Sequence, residues 1–191
     1  MDSDKVWRNI NMKKVNIFFA DGFEEVEALT VVDILRRAGI ETWMVSVTGE
    51  KMVKGSHGIK VEMDKTFNVV ADADAIVLPG GMPGTLNLKA HEGLKSLINE
   101  YNEAGKLLCA ICAAPTVYGS MGLLKDRHAT CYPGMEKELD ALEALTDAVV
   151  IDDNFITSRG VGTAIEFALA IVRNLIDDVT ADKLASSIVY E

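Results

Sequence analysis

The chain has 191 residues, 49% hydrophobic and 25% charged, globular proportions that exclude a disordered or low-complexity protein. Its formal net charge of −10, with no basic cluster, argues against nucleic acid and against an anionic membrane surface as partners. Three cysteines make no disulfide framework and point to free thiols in a reducing, cytoplasmic compartment, and no apolar stretch approaches the roughly 20 residues that span a bilayer.

Residues 1–12 contain no secretory h-region and read as an N-terminal extension before a single domain over residues 13–191. Val15–Ala20 is a mostly apolar first strand, as a central parallel strand covered on both faces should be. A helix over Glu24–Ala38 follows, with acidic residues in its first turn, Arg36-Arg37 in its last and Gly39 to stop it. Glu24 and Glu25 suit a solvated helix start. Thr42–Val47 is a second strand, and Lys51–Val53 with Ile59–Glu62 flank Gly55-Ser-His-Gly58 as a hairpin. Ala75–Leu78 is a buried strand ending in Pro79-Gly-Gly, and a helix is expected from His91 to Glu103. Leu107–Ile111 is a further buried strand, ending abruptly at Cys112 before a helix. Ala129–Tyr132 reads as a short strand stopped by Pro133, and Met135–Leu145 as a surface helix. Ala148–Ile151 and Phe155–Ser158 flank a hairpin turn at Asp152-Asp-Asn154, and helices close the chain to about Leu175 and over Thr180–Val189. Strands alternating with helices predict a parallel sheet covered on both faces, with function gathered beyond the carboxyl ends of the strands.

Three such ends carry chemistry. A cysteine at a strand end, beside a helix N-terminus, is expected to have a lowered pKa and an exposed thiolate, which makes Cys112 the candidate reactive centre. Glu27 lies at helical spacing from Val31, Ile34 and Ala38, so its carboxylate faces the buried side near the helix start, where burial raises its pKa. Such a carboxyl can donate to a thiolate or act as general acid and base. Gly80-Gly81 can bring backbone N–H groups to a reacting oxygen and, with the N–H of Ala113, form an oxyanion hole.

Cys109 completes a C-x-x-C with Cys112, but it lies inside the strand and reads as a packing residue. Cys131 reads as structural, with oxidation sensing as the minor option. His57, His91 and His128 are scattered and show no zinc-ligand spacing. No histidine follows Cys112 directly, which disfavours a Cys-His protease. Gly160-Val-Gly162-Thr163 resembles only part of a phosphate loop, and Thr163 with Glu166 has capping-box spacing, so no nucleotide is assigned there.

Four motifs together resemble one family. Ala20-Asp-Gly-Phe-Glu-Glu-Val-Glu27, Val77-Leu-Pro-Gly-Gly81, Ala110-Ile-Cys-Ala-Ala-Pro-Thr116 and Thr157-Ser-Arg-Gly-Val-Gly-Thr163 match, in order and spacing, the ThiJ/PfpI superfamily. The nearest branch is that of the parkinsonism-associated protein (DJ-one). The resemblance implies an α/β flavodoxin-like three-layer sandwich with a mostly parallel sheet, related to class I glutamine amidotransferases and usually a homodimer. It implies an oxidation-prone nucleophile at Cys112, a partner carboxyl at Glu27 and an oxyanion-hole glycine at Gly81, paired with Ala113. The activity it implies is that of a glyoxalase or deglycase on small aldehydes or glycated thiols and amines, methylglyoxal to lactate, with no cofactor and no metal. The alternative is a redox-sensing stress protein or chaperone switched by oxidation of Cys112. Some members carry a histidine where this chain has Tyr132, whose phenol can orient a carbonyl oxygen but is a poor base at neutral pH.

Overall fold

The computed structural model describes residues 12–190, so the expected extension lies, apart from Met12, outside the described residues. Strand β1 (Lys14–Phe19), helix α1 (Glu25–Arg37) and strand β2 (Glu41–Ser46) come first, followed by β3 (Met52–Lys54), β4 (Lys60–Glu62) and β5 (Lys65–Thr66). The middle of the chain forms β6 (Ala75–Leu78), α2 (Gly84–Ala90), α3 (Glu92–Glu103), β7 (Leu107–Ile111) and α4 (Pro115–Ser120). Then come β8 (His128–Ala129), β9 (Glu143–Ala144), β10 (Val149–Asp152), β11 (Phe155–Ser158), α5 (Ala164–Leu175) and α6 (Asp178–Ser187).

The central strands are apolar on both faces because both faces are covered. In β1, Val15, Ile17 and Phe19 join one core and Phe18 the other; in β7, Leu107, Cys109 and Ile111 alternate in the same way with Leu108 and Ala110. The first core is closed by Leu35 of α1, Phe167 and Ile171 of α5 and Leu184 of α6. The second is closed by Leu94 and Ile98 of α3 and Val117 and Tyr118 of α4. The seven-stranded sheet has the order β10-β11-β7-β6-β1-β2-β5, parallel throughout except for β10 against β11. This is the expected flavodoxin-like three-layer sandwich.

The order places the site. β11, β7, β6 and β1 are neighbours, so the chain leaving each carboxyl end meets the others. Chain order reverses between β6 and β1, the switch point at which open α/β sheets bind ligands.

Several expectations are corrected. Ala129–Tyr132 is not a strand: the ladder stops at Ala129, because Thr130 N–H donates to Thr157 Oγ1 (2.9 Å) and Tyr132 N–H to the Cys112 carbonyl (2.8 Å). Met135–Leu145 is not a helix. It makes one 3₁₀ turn, Glu136–Glu138, then breaks at Asp140 (φ +45°) before β9 pairs in parallel with β8. Good helix formers lose there to tertiary packing, since Leu139 is fully buried in the second core. The Thr163–Glu166 capping box does not form: the Thr163 hydroxyl bonds Ser158 Oγ (2.7 Å) and the Gly160 carbonyl (2.9 Å) instead. The short α2, whose Gly-Thr-Leu-Asn start is a poor helix pattern, and the two-residue β5 were not expected.

Candidate active site

β7 ends at Ile111, and Cys112 takes φ +66°, a left-handed backbone that residues with side chains rarely adopt. Its N–H donates to the Ser158 carbonyl (2.9 Å) and its own carbonyl accepts from Tyr132, so neighbours on both sides hold the strained residue. Pro115 then opens α4 at a position where its missing N–H costs nothing. The backbone amides of Ala113 and Gly81 lie close enough to the Cys112 sulfur to favour its charged form.

Glu27 comes from the first turn of α1 and is fully buried. Its Oε2 accepts the Gly80 N–H (2.9 Å), while Oε1, also buried, has no partner with full hydrogen-bond geometry. A Cβ on Gly80 would stand 2.6 Å from Cys112 Cβ, 2.7 Å from Glu27 Oε2 and 3.0 Å from Cys112 Sγ. Thiol and carboxyl therefore meet across a bare Cα. Gly80 thus spends its amide on Glu27, and the oxyanion donors expected from the sequence reduce to Gly81 and Ala113. Gly81, at φ +91°, packs so that a Cβ would lie 2.4 Å from Glu24 N.

Burial pushes the Glu27 carboxyl up to about 7, helped by the Glu24 charge and opposed by hydrogen bonds from Cys112 and Gly80. Burial, then the charge and hydrogen bond of Glu27, push the Cys112 thiol up to about 12, against the amides of Ala113 and Gly81. The lowered thiol pKa expected from the helix N-terminus is therefore corrected: burial, and then Glu27, outweigh the start of the six-residue α4. Both contributions from Glu27 belong to the carboxylate. Once it is protonated its charge is gone and its O–H can donate to sulfur, so the thiolate becomes accessible with the proton on Glu27.

Cys112, Glu27, Gly81 and Tyr132 line an open cleft of about 690 Å³. Arg159, the turn Gly160–Thr163, Glu24 and His57 also line it. Cys112 also lines a second groove of about 400 Å³, walled by Met82, Tyr132, Pro133 and Met135. The structure thus brings Glu27, Gly80, Gly81, Cys112, Ala113 and Tyr132 together. Cys109 is instead sealed in the core, where burial pushes its thiol well up, and Cys131 is buried and pushed up to about 11 by burial and then by Glu136 and Glu138.

His57, Glu24 and Arg159 also reach the cleft and were not among the expected site residues, although Glu24 lies inside the first quoted motif and Arg159 inside the fourth. Glu25 is a correction: it is 4% exposed rather than solvated. It accepts the His57 N–H (2.8 Å) and Ser56 hydroxyl (3.1 Å) and pairs with His57 Nδ1 (2.9 Å). Burial opposes its charge, but these bonds hold its carboxyl down to about 2. Among the described residues Glu24, Glu25 and His57 form the one group whose ligand atoms lie close enough for a metal, within 4.8 Å of one another. They are already bonded to one another through Ser56, and they tie the β3–β4 hairpin to α1. No helix among the described residues is long and apolar enough to cross a membrane.

The DJ-1/PfpI family matches residues 13–174. Protein DJ-1 homolog B of Arabidopsis thaliana is 38% identical over 93% of this chain. The match covers 41% of that protein, and 46% of the Arabidopsis homolog A, so the chain spans less than half the length of these curated relatives. A Caenorhabditis elegans protein named a glutathione-independent glyoxalase is 36% identical over 80% of this chain and 82% of its own. The crystal structure of a mutant DJ-1 superfamily protein from Salmonella typhimurium superposes with a TM-score of 0.90 at 36% identity, covering 94% of this chain and all of that one. With the family match running from β1 into α5 and the same fold in the Salmonella protein, the chain belongs to the DJ-1/PfpI family.

Proposed function

We propose that the protein is a cofactor-independent, cysteine-dependent enzyme that turns small 2-oxoaldehydes into 2-hydroxy acids, methylglyoxal into lactate. The observation that carries this reading is the strained Cys112 set against a buried Glu27 that titrates near neutrality. The name of the Caenorhabditis elegans relative supports it.

The sulfur of Cys112 adds to the aldehyde carbon, and the proton shared with Glu27 passes to the aldehyde oxygen, giving a hemithioacetal and an ionised Glu27. Glu27 removes the remaining proton from that carbon and returns it to the neighbouring one, while the hydroxyl proton of the first carbon passes to the oxygen of the second, so the first carbon is oxidised and the second reduced without an external electron carrier. The product is a thioester of the 2-hydroxy acid. Water cleaves it, with the Gly81 and Ala113 amides stabilising the tetrahedral oxyanion, and the thiol is restored. Glycated thiols and amines are the second substrate class of this reading, and a homodimer is its expected assembly, testable by sedimentation.

The test is lactate formation followed by NMR. Cys112→Ser should form none above background, and Glu27→Gln, which keeps an acceptor for Gly80, should lose about 10²–10⁴-fold. Wild-type rates in either variant contradict the mechanism. Oxidation of Cys112 as the protein's output is the rival, and it predicts no sustained turnover by wild type.

A further inference from the structure

The cleft is much larger than methylglyoxal requires. At about 690 Å³ it falls in the range that encloses drug-sized ligands, so a three-carbon dicarbonyl leaves most of it unfilled. Its lining carries both signs of charge. Glu24 and Glu27 line it, with His57 balanced by its bond to the Glu25 carboxylate. Arg159 lines it too.

Arg159 is unlike the other described arginines. Arg36, Arg37, Arg127 and Arg173 each have a carboxylate partner: Asp64 (2.7 Å), Asp33 (2.6 Å), Asp153 (3.0 Å) and Asp178 (3.5 Å). Among the described residues no carboxylate oxygen comes within 4.0 Å of Arg159, in a chain whose acidic residues outnumber its basic ones by 29 to 19. Its Nη1 donates to the Thr146 carbonyl (3.2 Å), which fixes one edge of the guanidinium. Glu136, the carboxylate that feels its charge, is bonded to Gly134 N–H (2.9 Å) instead. A half-buried guanidinium anchored at one edge and lacking a counter-ion is suited to receive an oxyanion, bidentately where geometry allows.

We propose that Arg159 gives the Cys112 cleft an anion subsite, so that the preferred substrate is an aldehyde, or its adduct, carrying a carboxylate or phosphate group. The charges of the lining orient it: the anion is held at Arg159 and repelled by the Glu24 carboxylate, and the carbonyl end is left for Cys112. This deepens the reading above and rests on Cys112 as the reacting centre.

Alkylation of Cys112 tests the subsite without turnover. Iodoacetate and iodoacetamide have nearly the same size and differ in charge, and intact mass with peptide mapping reads the rate at Cys112. The iodoacetate-to-iodoacetamide rate ratio divides out changes in thiol reactivity and in the fold. It should fall about tenfold in Arg159→Gln, remain largely intact in Arg159→Lys, and decline in wild type as salt rises. Protection against iodoacetate by inorganic phosphate more than by malonate would assign the group as phosphate, and the reverse order as carboxylate. A ratio equal in wild type and Arg159→Gln to within about twofold overturns the proposal. Because no lactate is measured, a protein with the expected ratio that makes none fails only the earlier reading.

Discussion

Glu25 and Glu27 share the first turn of α1 and are nearly sealed from water, at 4% and 0% exposed, yet their carboxyls are driven in opposite directions. Burial pushes both up, and the helix N-terminus acts on both alike. What separates them is the supply of donors. Glu25 is wrapped by the β3–β4 hairpin, with bonds from the Ser56 hydroxyl and the His57 amide and ring, and it sits at about 2. Glu27 has one strong donor, Gly80 N–H, and a sulfur, and it sits at about 7. One turn of helix therefore holds a permanently charged tie and a carboxyl that exchanges its proton near neutrality. The difference is made by the partners that tertiary structure delivers.

The contrast can be broken first through stability. The raised pKa of Glu27 means that its contribution is fully present below the unfolded value of 4.5 and is lost as pH climbs through about 7. The loss is on the order of 3 kcal/mol. Glu27→Gln carries no such loss, so in urea unfolding it should gain on wild type by that order between about pH 4 and pH 8. A pH-independent gap would break the comparison. Gly80→Ala comes next: its Cβ enters the contact between Cys112 and Glu27, at a cost of about 1–3 kcal/mol in urea unfolding and with lactate formation lost.

Glu25→Gln should cost on the order of 1 kcal/mol near neutral pH by thermal unfolding. The carboxylate it removes stabilises above the unfolded 4.5, and that benefit fades only as pH falls through about 2. The same variant should lower the His57 pKa, since the Glu25 hydrogen bond is the largest cause holding it up, and an imidazole proton NMR titration reads this. The smallest effect belongs to Tyr132→Phe, which keeps the ring at the cleft and loses one hydroxyl. Its kcat/KM for methylglyoxal should drop by about fivefold or less.

The strands were readable because they are apolar on both faces: Ala75–Leu78 and Leu107–Ile111 appear in the structure with the bounds their sequences imply. The inward direction of Glu27 was readable from its spacing to Val31 and Ile34, both buried. Other features depend on contacts between distant segments. The environment of Glu25 is made 32 residues away by His57, and nothing local tells it from Glu27. The turn at Cys112 was visible as a strand end, but its pKa followed from burial against Glu27 and not from the helix start. Met135–Leu145 has the composition of a helix and is held otherwise by Leu139 packing beneath it. Arg159 stood in a motif whose glycines drew attention, while its lack of a carboxylate partner is a property only of the folded chain.

The central claim is that Glu27 exchanges its proton near neutral pH beside Cys112. A carbon-13 NMR titration of the Glu27 side-chain carboxyl, assigned by difference against Glu27→Gln, tests it most directly. The account expects a midpoint near 7. A midpoint in the ordinary range, near 4.5, would contradict it and leave Glu27 an ordinary carboxylate, ionised at neutral pH.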